Sequence, residues 1–378
     1  MTGPAARSDV RGPDAHDMAH MRRALTLARE GWGQTAPNPM VGAVVVAGGV
    51  VVGEAYHARY GEAHAEAQAL REAGERARGA TLYVTLEPCA HFGKTPPCAD
   101  AVIAAGISRV VIASPDPSLV ARGGASRLRR AGVTVEIGLL RDEAMELNAA
   151  FFNALSSRRP WITLKLALSA DGAIADPSGA HRWITGPDAR AEVHRLRANA
   201  DAIAVGVNTV IADDPLLTAR DVRSPRRAPL RVVFDSTLRT PRTSALMRTA
   251  REVETILIGR LSAVPVDRLA MAEETGATVL LAPSLHESLE MLRARDIRSL
   301  FVEGGARIAG SLLREDLVDR LVIFRSSLEL GCDAPRAFAH APEGFESSLA
   351  ERPVIARAQF GDDVMTTYAL HEVPCSRG

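Results

Sequence analysis

The chain has 378 residues, 47% of them hydrophobic and 24% charged, a balance that excludes a disordered protein and suits two domains at about 150 residues each. Lys plus Arg and Asp plus Glu both total 45, so no net charge draws the chain to a polyanion, and nucleic acid is excluded as the main partner. Four cysteines are too few for a disulfide framework, no run of about 20 apolar residues could span a membrane, and the polar start "MTGPAARSDVRGPDAHD" lacks a signal peptide's apolar core. A reducing cytoplasm is the expected location.

The first predicted element is an amphipathic helix in "DMAHMRRALTLAREGWG", with Met18, Met21, Leu25 and Ala28 at helical spacing and Gly31 as its stop. Two β-branched runs about Gly48 and Gly49, "MVGAVVVAGGVVVGEAYH", predict a hairpin. Helical and strand-like segments then alternate through "HAEAQALREAGERA", "TLYVTL", "TPPCADAVIAAG", "SRVVIAS", "ASRLRRAG", "VTVEIG" and a single helix in "DEAMELNAAFFNAL". Polar "SSRRP" at 156–160 marks a boundary. A second series follows: "WITLKLALS", "RAEVHRLRANA", "AIAVG", "LRVVFDS", "TILIG", "ATVLLAP", "SLFVEGG", "RLVIF" and "MTTYALHEV". The expectation is two different α/β domains, 17–157 and 160–373, each with helices covering a sheet.

The first half carries a metal-ligand pattern. Catalytic zinc takes three protein ligands and leaves a fourth position open; His64, Cys89 and Cys98 supply that set, and Glu66 is placed to shuttle protons. Thr95 is expected to cap a helix whose first turn holds Pro96, Pro97 and Cys98, where N–H groups and the helix dipole favour a thiolate. His91 as a fourth ligand would make the zinc structural instead. Cys332 and Cys375 have no partner spacing and are expected to be ordinary buried or tail residues.

The segments "APNPMVGAVVV", "YHARYGEAHAEAQAL" and "YVTLEPCAHFGKTPPC" closely resemble the deaminase half of the bifunctional riboflavin-biosynthesis deaminase/reductase family. Other zinc deaminases usually use C-x-x-C, whereas here the second cysteine comes nine positions after the first. The resemblance implies substrate contacts at Asn38, His57, His91 and Lys94. It also implies hydrolytic deamination of 2,5-diamino-6-(5-phosphoribosylamino)pyrimidin-4-one, with Glu66 moving the proton from an activated water to the leaving nitrogen.

The second half has no G-x-G-x-x-G after an early strand, so the common dinucleotide signature is missing. "SLFVEGGARIAGSLL" offers another route: Gly304 and Gly305 permit close backbone approach, and the following helix points N–H groups at a phosphate. With "LKLALSADG", "SGAHRWITG", "AEVHRLRANADAIAVGVNTVIADDPLLTAR" and "RVVFDSTLRTP", it resembles the reductase half of the same family. The implied folds are a cytidine-deaminase-like three-layer αβα domain and a dihydrofolate-reductase-like α/β domain. NADPH is then bordered by Ala167, Trp183, Thr209, Asp213, Ser236 and the run Gly305, Ala306, Arg307, Ile308, Ala309, Gly310 and Ser311. The phosphorylated pyrimidine is bordered by Lys165, His181, Arg197, Leu217, Arg220 and Glu303, and Arg197 and Arg220 have bidentate geometry for a phosphate. Cofactors are therefore Zn2+ and NADPH, the partner is a small phosphorylated molecule, and an assembly of identical chains is expected.

The sequence departs from the family pattern at four places: Ala173 where Arg or Lys is usual, His181 where Ser is usual, a shorter "DPSLVARGG" loop, and "FRSSLELG" after the "RLVIF" strand. Protonated His181 is expected to donate to the substrate phosphate. A second reading keeps only deamination, in a specialised pathway using the same pyrimidine, with the C-terminal domain a nucleotide-binding or oligomerisation module.

Overall fold

A computed structural model describes residues 14–92 and 96–374. The chain divides into two compact units between Ala149 and Ala150.

In the first unit, α1 (Ala15–Arg29) precedes β1 (Gly42–Ala47), β2 (Val50–Tyr56), α2 (Ala65–Ala73), β3 (Thr81–Leu86), α3 (Cys98–Ala104), β4 (Arg109–Ser114), α4 (Gly124–Arg130), β5 (Thr134–Ile137) and α5 (Arg141–Leu147). The sheet order is β2-β1-β3-β4-β5. The predicted hairpin forms between β1 and β2, with Gly48 and Gly49 at φ 56° and 81°, the left-handed pair a tight turn requires. β1 and β3 run antiparallel; β3, β4 and β5 run parallel.

Alternate residues of these strands enter opposite cores, which makes three layers. Val45, Leu82, Val84, Val110 and Ile112 meet α2, α3 and α4 on one face. Val44, Val46, Tyr83 and Val111 meet Met21, Ala24 and Leu25 of α1 on the other.

One predicted helix is two. "DEAMELNAAFFNAL" breaks at Asn148, whose buried amide accepts from Met40 N–H at 2.8 Å and donates to Met40 C=O at 2.9 Å. That bonding competes with helix continuation, and α6 (Ala149–Ser156) begins afresh.

The second unit contains β6 (Trp161–Leu168), α7 (Pro187–Arg197), β7 (Ala202–Gly206), α8 (Val207–Asp213), β8 (Leu230–Phe234), α9 (Ala245–Arg248), β9 (Thr255–Arg260), α10 (Val266–Glu274), β10 (Thr278–Ala282), α11 (Leu285–Ala294), β11 (Ser299–Glu303), α12 (Ala306–Arg314), β12 (Arg320–Arg325), α13 (Phe345–Ser348), β13 (Val354–Phe360) and β14 (Asp363–Ala369). Their order is β10-β9-β8-β7-β11-β6-β12-β14-β13. The strands are parallel from β10 to β12, and β14 and β13 complete one edge antiparallel.

β6 alternates Ile162, Leu164, Leu166 and Leu168 into the main core, leaving Lys165 and Ala167 on the opposite face. That alternation, together with chain reversal at the C-terminal strand ends, positions the second site.

Among the described residues, no helix is long and apolar enough to cross a membrane.

Candidate active sites

His64 caps the N-terminus of α2, and Glu66 lies in its first turn, 3% exposed. Because the backbone is still extended at His64 and turns helical only from Ala65, both side chains reach one place despite their spacing. Cys98 opens α3, with Pro97 at the cap position and no side-chain cap. The expected capping residue, Thr95, lies outside the described residues, as do Lys94 and Cys375. Cys332 is exposed, which corrects the expectation of an ordinary buried or tail position.

The three ligand atoms lie within 4.8 Å of one another. His64 Nδ1 is 3.2 Å from Cys98 Sγ and 3.7 Å from Cys89 Sγ. A tetrahedral zinc with its usual bond lengths needs nitrogen–sulfur edges of about 3.6 Å, so the donor set fits the ion. The Cys98 N–H donates to Cys89 Sγ at 3.4 Å, support that favours thiolate.

The Cys98 thiol and His64 lower the Cys89 pKa, while the hydrogen bond to Cys89 and burial raise that of Cys98; His64 is raised by its bond to Cys89. Burial raises Glu66, as suits a carboxyl that must both hold and release a proton.

Beside the ligands, His57 Nδ1 is 3.3 Å from the Ala63 carbonyl and Nε2 is 3.3 Å from Asn38 Nδ2. An Nδ1–H tautomer satisfies both contacts, and burial lowers the His57 pKa and keeps the ring neutral. His91 Nδ1 is buried with no hydrogen-bond partner among the described residues, an orphan that calls for a ligand.

Two acidic residues escaped the sequence analysis. Glu87 accepts from the N–H groups of Asp116, Gly123 and Ala125, tying "EPC" to the segment before α4. Gly124 permits that approach: a Cβ there would lie 1.8 Å from the Pro88 carbonyl oxygen. Asp116 is pushed up to about 6 by burial and by the negative charge of Glu87 and Cys89. Its only sequence signal was the unusual "DPSLVARGG" loop.

In the second unit the predicted residues gather at the C-terminal ends of β6, β7, β8 and β11. Gly304 and Gly305 connect β11 to α12; a Cβ on Gly304 would meet Ile308 at 2.6 Å, and one on Gly305 would lie 3.8 Å from Thr209 Oγ1. A Cβ on Gly206, which ends β7, would lie in ordinary contact with Ile308, at 3.6 Å. α12 has no side-chain cap, so its first N–H groups face this crevice. Ala309 and Gly310 pack inward instead, Gly310 against His340, and Ser311 Oγ donates to Arg307 C=O.

The opposite side of β11 carries the charged cluster. Glu303 pairs in register with Lys165 and forms a bidentate ion pair with Arg197, whose Nη2 reaches Glu303 Oε2 at 2.9 Å. Burial opposes ionisation of Glu303, but Arg197 and Lys165 outweigh it and its pKa falls. Burial lowers the Lys165 pKa, and its ammonium lies 5.9 Å from the Phe324 ring. Arg197 also donates to Thr218 C=O at 3.0 Å, following Leu217, which is held at φ 46°. His194, missed in sequence, joins the group: Nδ1 accepts from Arg220 N–H at 3.2 Å. Its signal was its position three residues before Arg197 on α7.

Trp183 is 60% exposed between the guanidinium groups of Arg182 and Arg190. Burial raises the Asp213 pKa while Arg182 lowers it. Ser236 follows β8 and is exposed. His181 Nδ1 is 3.0 Å from Asp176 Oδ2, whose oxygen also accepts the His181 N–H; only Nε2 remains for a ligand.

A zinc-ligand triad with a buried carboxylate on one α/β layer structure, and a glycine-lined nucleotide crevice beside a charged cluster on another, define a two-domain enzyme that joins a zinc deaminase to a reductase. Residues 14–114 match the cytidine and deoxycytidylate deaminase zinc-binding region, and residues 160–354 match the RibD C-terminal domain. Riboflavin biosynthesis protein RibD of Aquifex aeolicus is 46% identical over 311 residues, covering 82% of this chain and 86% of that one. Acinetobacter baumannii RibD superposes with a TM-score of 0.80 at 36% identity, covering 94% and 98% of the two chains. A diaminohydroxyphosphoribosylaminopyrimidine deaminase/5-amino-6-(5-phosphoribosylamino)uracil reductase from Thermotoga maritima gives 0.79 at 33% identity, covering 95% and 99%. The chain belongs to the RibD family, the bifunctional deaminase/reductases of riboflavin biosynthesis.

Proposed function

We propose that this chain deaminates 2,5-diamino-6-(5-phosphoribosylamino)pyrimidin-4-one in its first domain, 17–157, and reduces the ribosyl group of the product to ribityl with NADPH in its second, 160–373. The carrying observation is the convergence of His64, Cys89 and Cys98 beside buried Glu66. When bound there, zinc would supply acidification of a water molecule. Glu66 holds the proton and delivers it to the leaving exocyclic nitrogen, so that ammonia departs and a carbonyl remains. Neutral His57, held by Asn38 and Ala63, orients the pyrimidine, and the unpartnered His91 Nδ1 supplies a further polar contact. Lys94, on the loop between the cysteines, is assigned to the same substrate.

In the second domain a nicotinamide cofactor would supply hydride. The α12 N-terminus, Gly305 and Thr209 hold its pyrophosphate, and Ala167, Trp183, Asp213 and Ser236 border the rest. Lys165, Glu303, Arg197, Leu217 and Arg220 bind the substrate, the arginines taking its phosphate; His181 offers Nε2 at the margin. An assembly of identical chains working in the cytoplasm completes this reading.

The test is a two-step assay on purified full-length protein. Ammonia release from the diaminopyrimidine should precede NADPH consumption, and supplied deaminated substrate should consume NADPH directly. Ammonia release with no NADPH consumption in either format would leave only the deaminase part standing.

A further inference from the structure

His57 and Asn38 can orient a ring only if their own polarity is fixed, and neither side chain fixes it alone. A neutral imidazole has two tautomers and an amide has two faces. The chain around them sets both. Residues 57–63 join β2 to α2. The His57 N–H donates to Val41 C=O at 2.8 Å, and the His57 carbonyl lies so close to Gly31 that a Cβ there would come within 2.9 Å of it. These contacts anchor the backbone of His57 and leave its ring to be fixed by something else.

That something is Gln68, one turn along α2, whose own N–H donates to His64 C=O at 3.2 Å. The Gln68 side-chain Nε2 donates to Ala63 C=O at 2.8 Å and to Tyr56 C=O at 3.3 Å. Carbonyls only accept, so the amide nitrogen is the atom that faces them, and both its hydrogens are used. Tyr56 ends β2 and Ala63 immediately precedes His64, so a single amide staples the connecting loop at its two ends. The Ala63 carbonyl has two lone pairs; one takes Gln68 and the other faces His57 Nδ1 at 3.3 Å. Nδ1 therefore carries the ring hydrogen and Nε2 the lone pair, and the Asn38 amide nitrogen, 3.3 Å from Nε2, is the donor to it. Asn38 keeps one N–H and its carbonyl oxygen for a ligand, the donor–acceptor pair that an amide-like ring edge of a pyrimidinone matches.

We propose that Gln68 is a positioning residue of the deaminase: it holds the Ala63 carbonyl, the carbonyl sets the His57 tautomer, and the tautomer sets which face of the Asn38 amide meets the substrate ring. The inference rests on the deaminase reading of the first unit. The bonds of Gln68 run to loop carbonyls rather than to a zinc donor, so its loss leaves the three metal ligands in place. Released from Gln68, the Ala63 carbonyl can turn away and the ring hydrogen can move to Nε2. Asn38 then has to turn its oxygen to the ring, and only N–H groups are left for the pyrimidine.

The experiment compares full-length, zinc-loaded wild type with Gln68→Met, which has similar length and no donor, Gln68→Glu, which has the same shape and only acceptors, and Gln68→Lys, which has only donors. It measures kcat and KM for ammonia release from the diaminopyrimidine, zinc content, the melting temperature, and the ring-nitrogen NMR signals of 15N-labelled histidine, with His57 assigned from a His57→Gln sample. In wild type the protonated ring nitrogen of His57 should be Nδ1. Gln68→Met should raise KM about ten-fold while kcat stays within about three-fold and zinc is retained. The His57 signals should move toward a mixture of tautomers in that variant. Gln68→Glu should raise KM further, and Gln68→Lys should recover most of the loss. A wild-type ring protonated at Nε2, or a wild-type KM in both Gln68→Met and Gln68→Glu, would overturn the relay. Zinc content and melting temperature that fall together with activity in all three variants, Gln68→Lys included, would reduce Gln68 to a structural residue and overturn it as well. A wild type that releases no ammonia, yet holds the Nδ1 tautomer and loses it in Gln68→Met, would support the relay and overturn the deaminase reading.

Discussion

At the scale of single residues, the zinc ligands and Glu66 were legible because each needs a particular side chain and the loop between the cysteines keeps them close in sequence. Two variants separate their roles. Cys98→Ala removes one of three metal donors and should lose both zinc and ammonia release. Glu66→Gln keeps the donors but cannot carry a proton, so metal analysis should find zinc retained while deamination falls about 10²- to 10⁴-fold. Full zinc retention in Cys98→Ala would remove that ligand from the site. What stayed illegible were residues that act through backbone groups. Glu87 reads as one acid among many until its three N–H partners are seen, and His194 reads as a helix-surface residue until Thr218 and Arg220 fold back to it.

At the scale of elements, the alternation of β-branched runs with helical segments predicted both sheets, because buried strands carry their pattern in consecutive residues. The misses have physical causes. β13 has a largely exposed face and so no apolar alternation to detect. The break between α5 and α6 depends on a side chain bonded to a residue far off in sequence, Met40, which no local pattern encodes. Asn148→Ala should therefore do more than improve helix propensity. It strands a buried N–H and C=O, at about 1–3 kcal/mol for each group left unpaired, and the denaturant midpoint of the first unit should fall. An unchanged or raised midpoint would mean that helix continuation compensates.

At the scale of the whole molecule, the chain divides into two units between Ala149 and Ala150, several residues ahead of the "SSRRP" boundary read from the sequence. The second unit carries a pH-sensitive clasp near its end. His371 Nδ1 lies 3.1 Å from Asp319 and Nε2 3.2 Å from Asp316, while Arg159 pairs with Asp319 and Arg320 donates to the His371 carbonyl. The Asp319 hydrogen bond raises the His371 pKa. Its stabilisation is thus complete below an unfolded value of about 6.5 and is lost as pH rises through the raised folded value. A His371→Gln variant should melt a few degrees below wild type at about pH 6, with the gap closing under alkaline conditions; a gap independent of pH would make the contact one of packing alone.

The sheet order also imposes a timetable on synthesis. Among the described residues, the three candidate ligands of the metal centre lie between residues 64 and 98, and those of the first unit end at residue 149. The reductase sheet is different: β6, at 161–168, takes its neighbours from strands at 299–303 and 320–325. A chain emerging from its amino end can finish the first layer structure and acquire its ion while β6, an interior strand of the second sheet, still waits, unpaired and rich in leucine and isoleucine, for partners not yet made. The hazard of aggregation on the ribosome therefore falls on the reductase half.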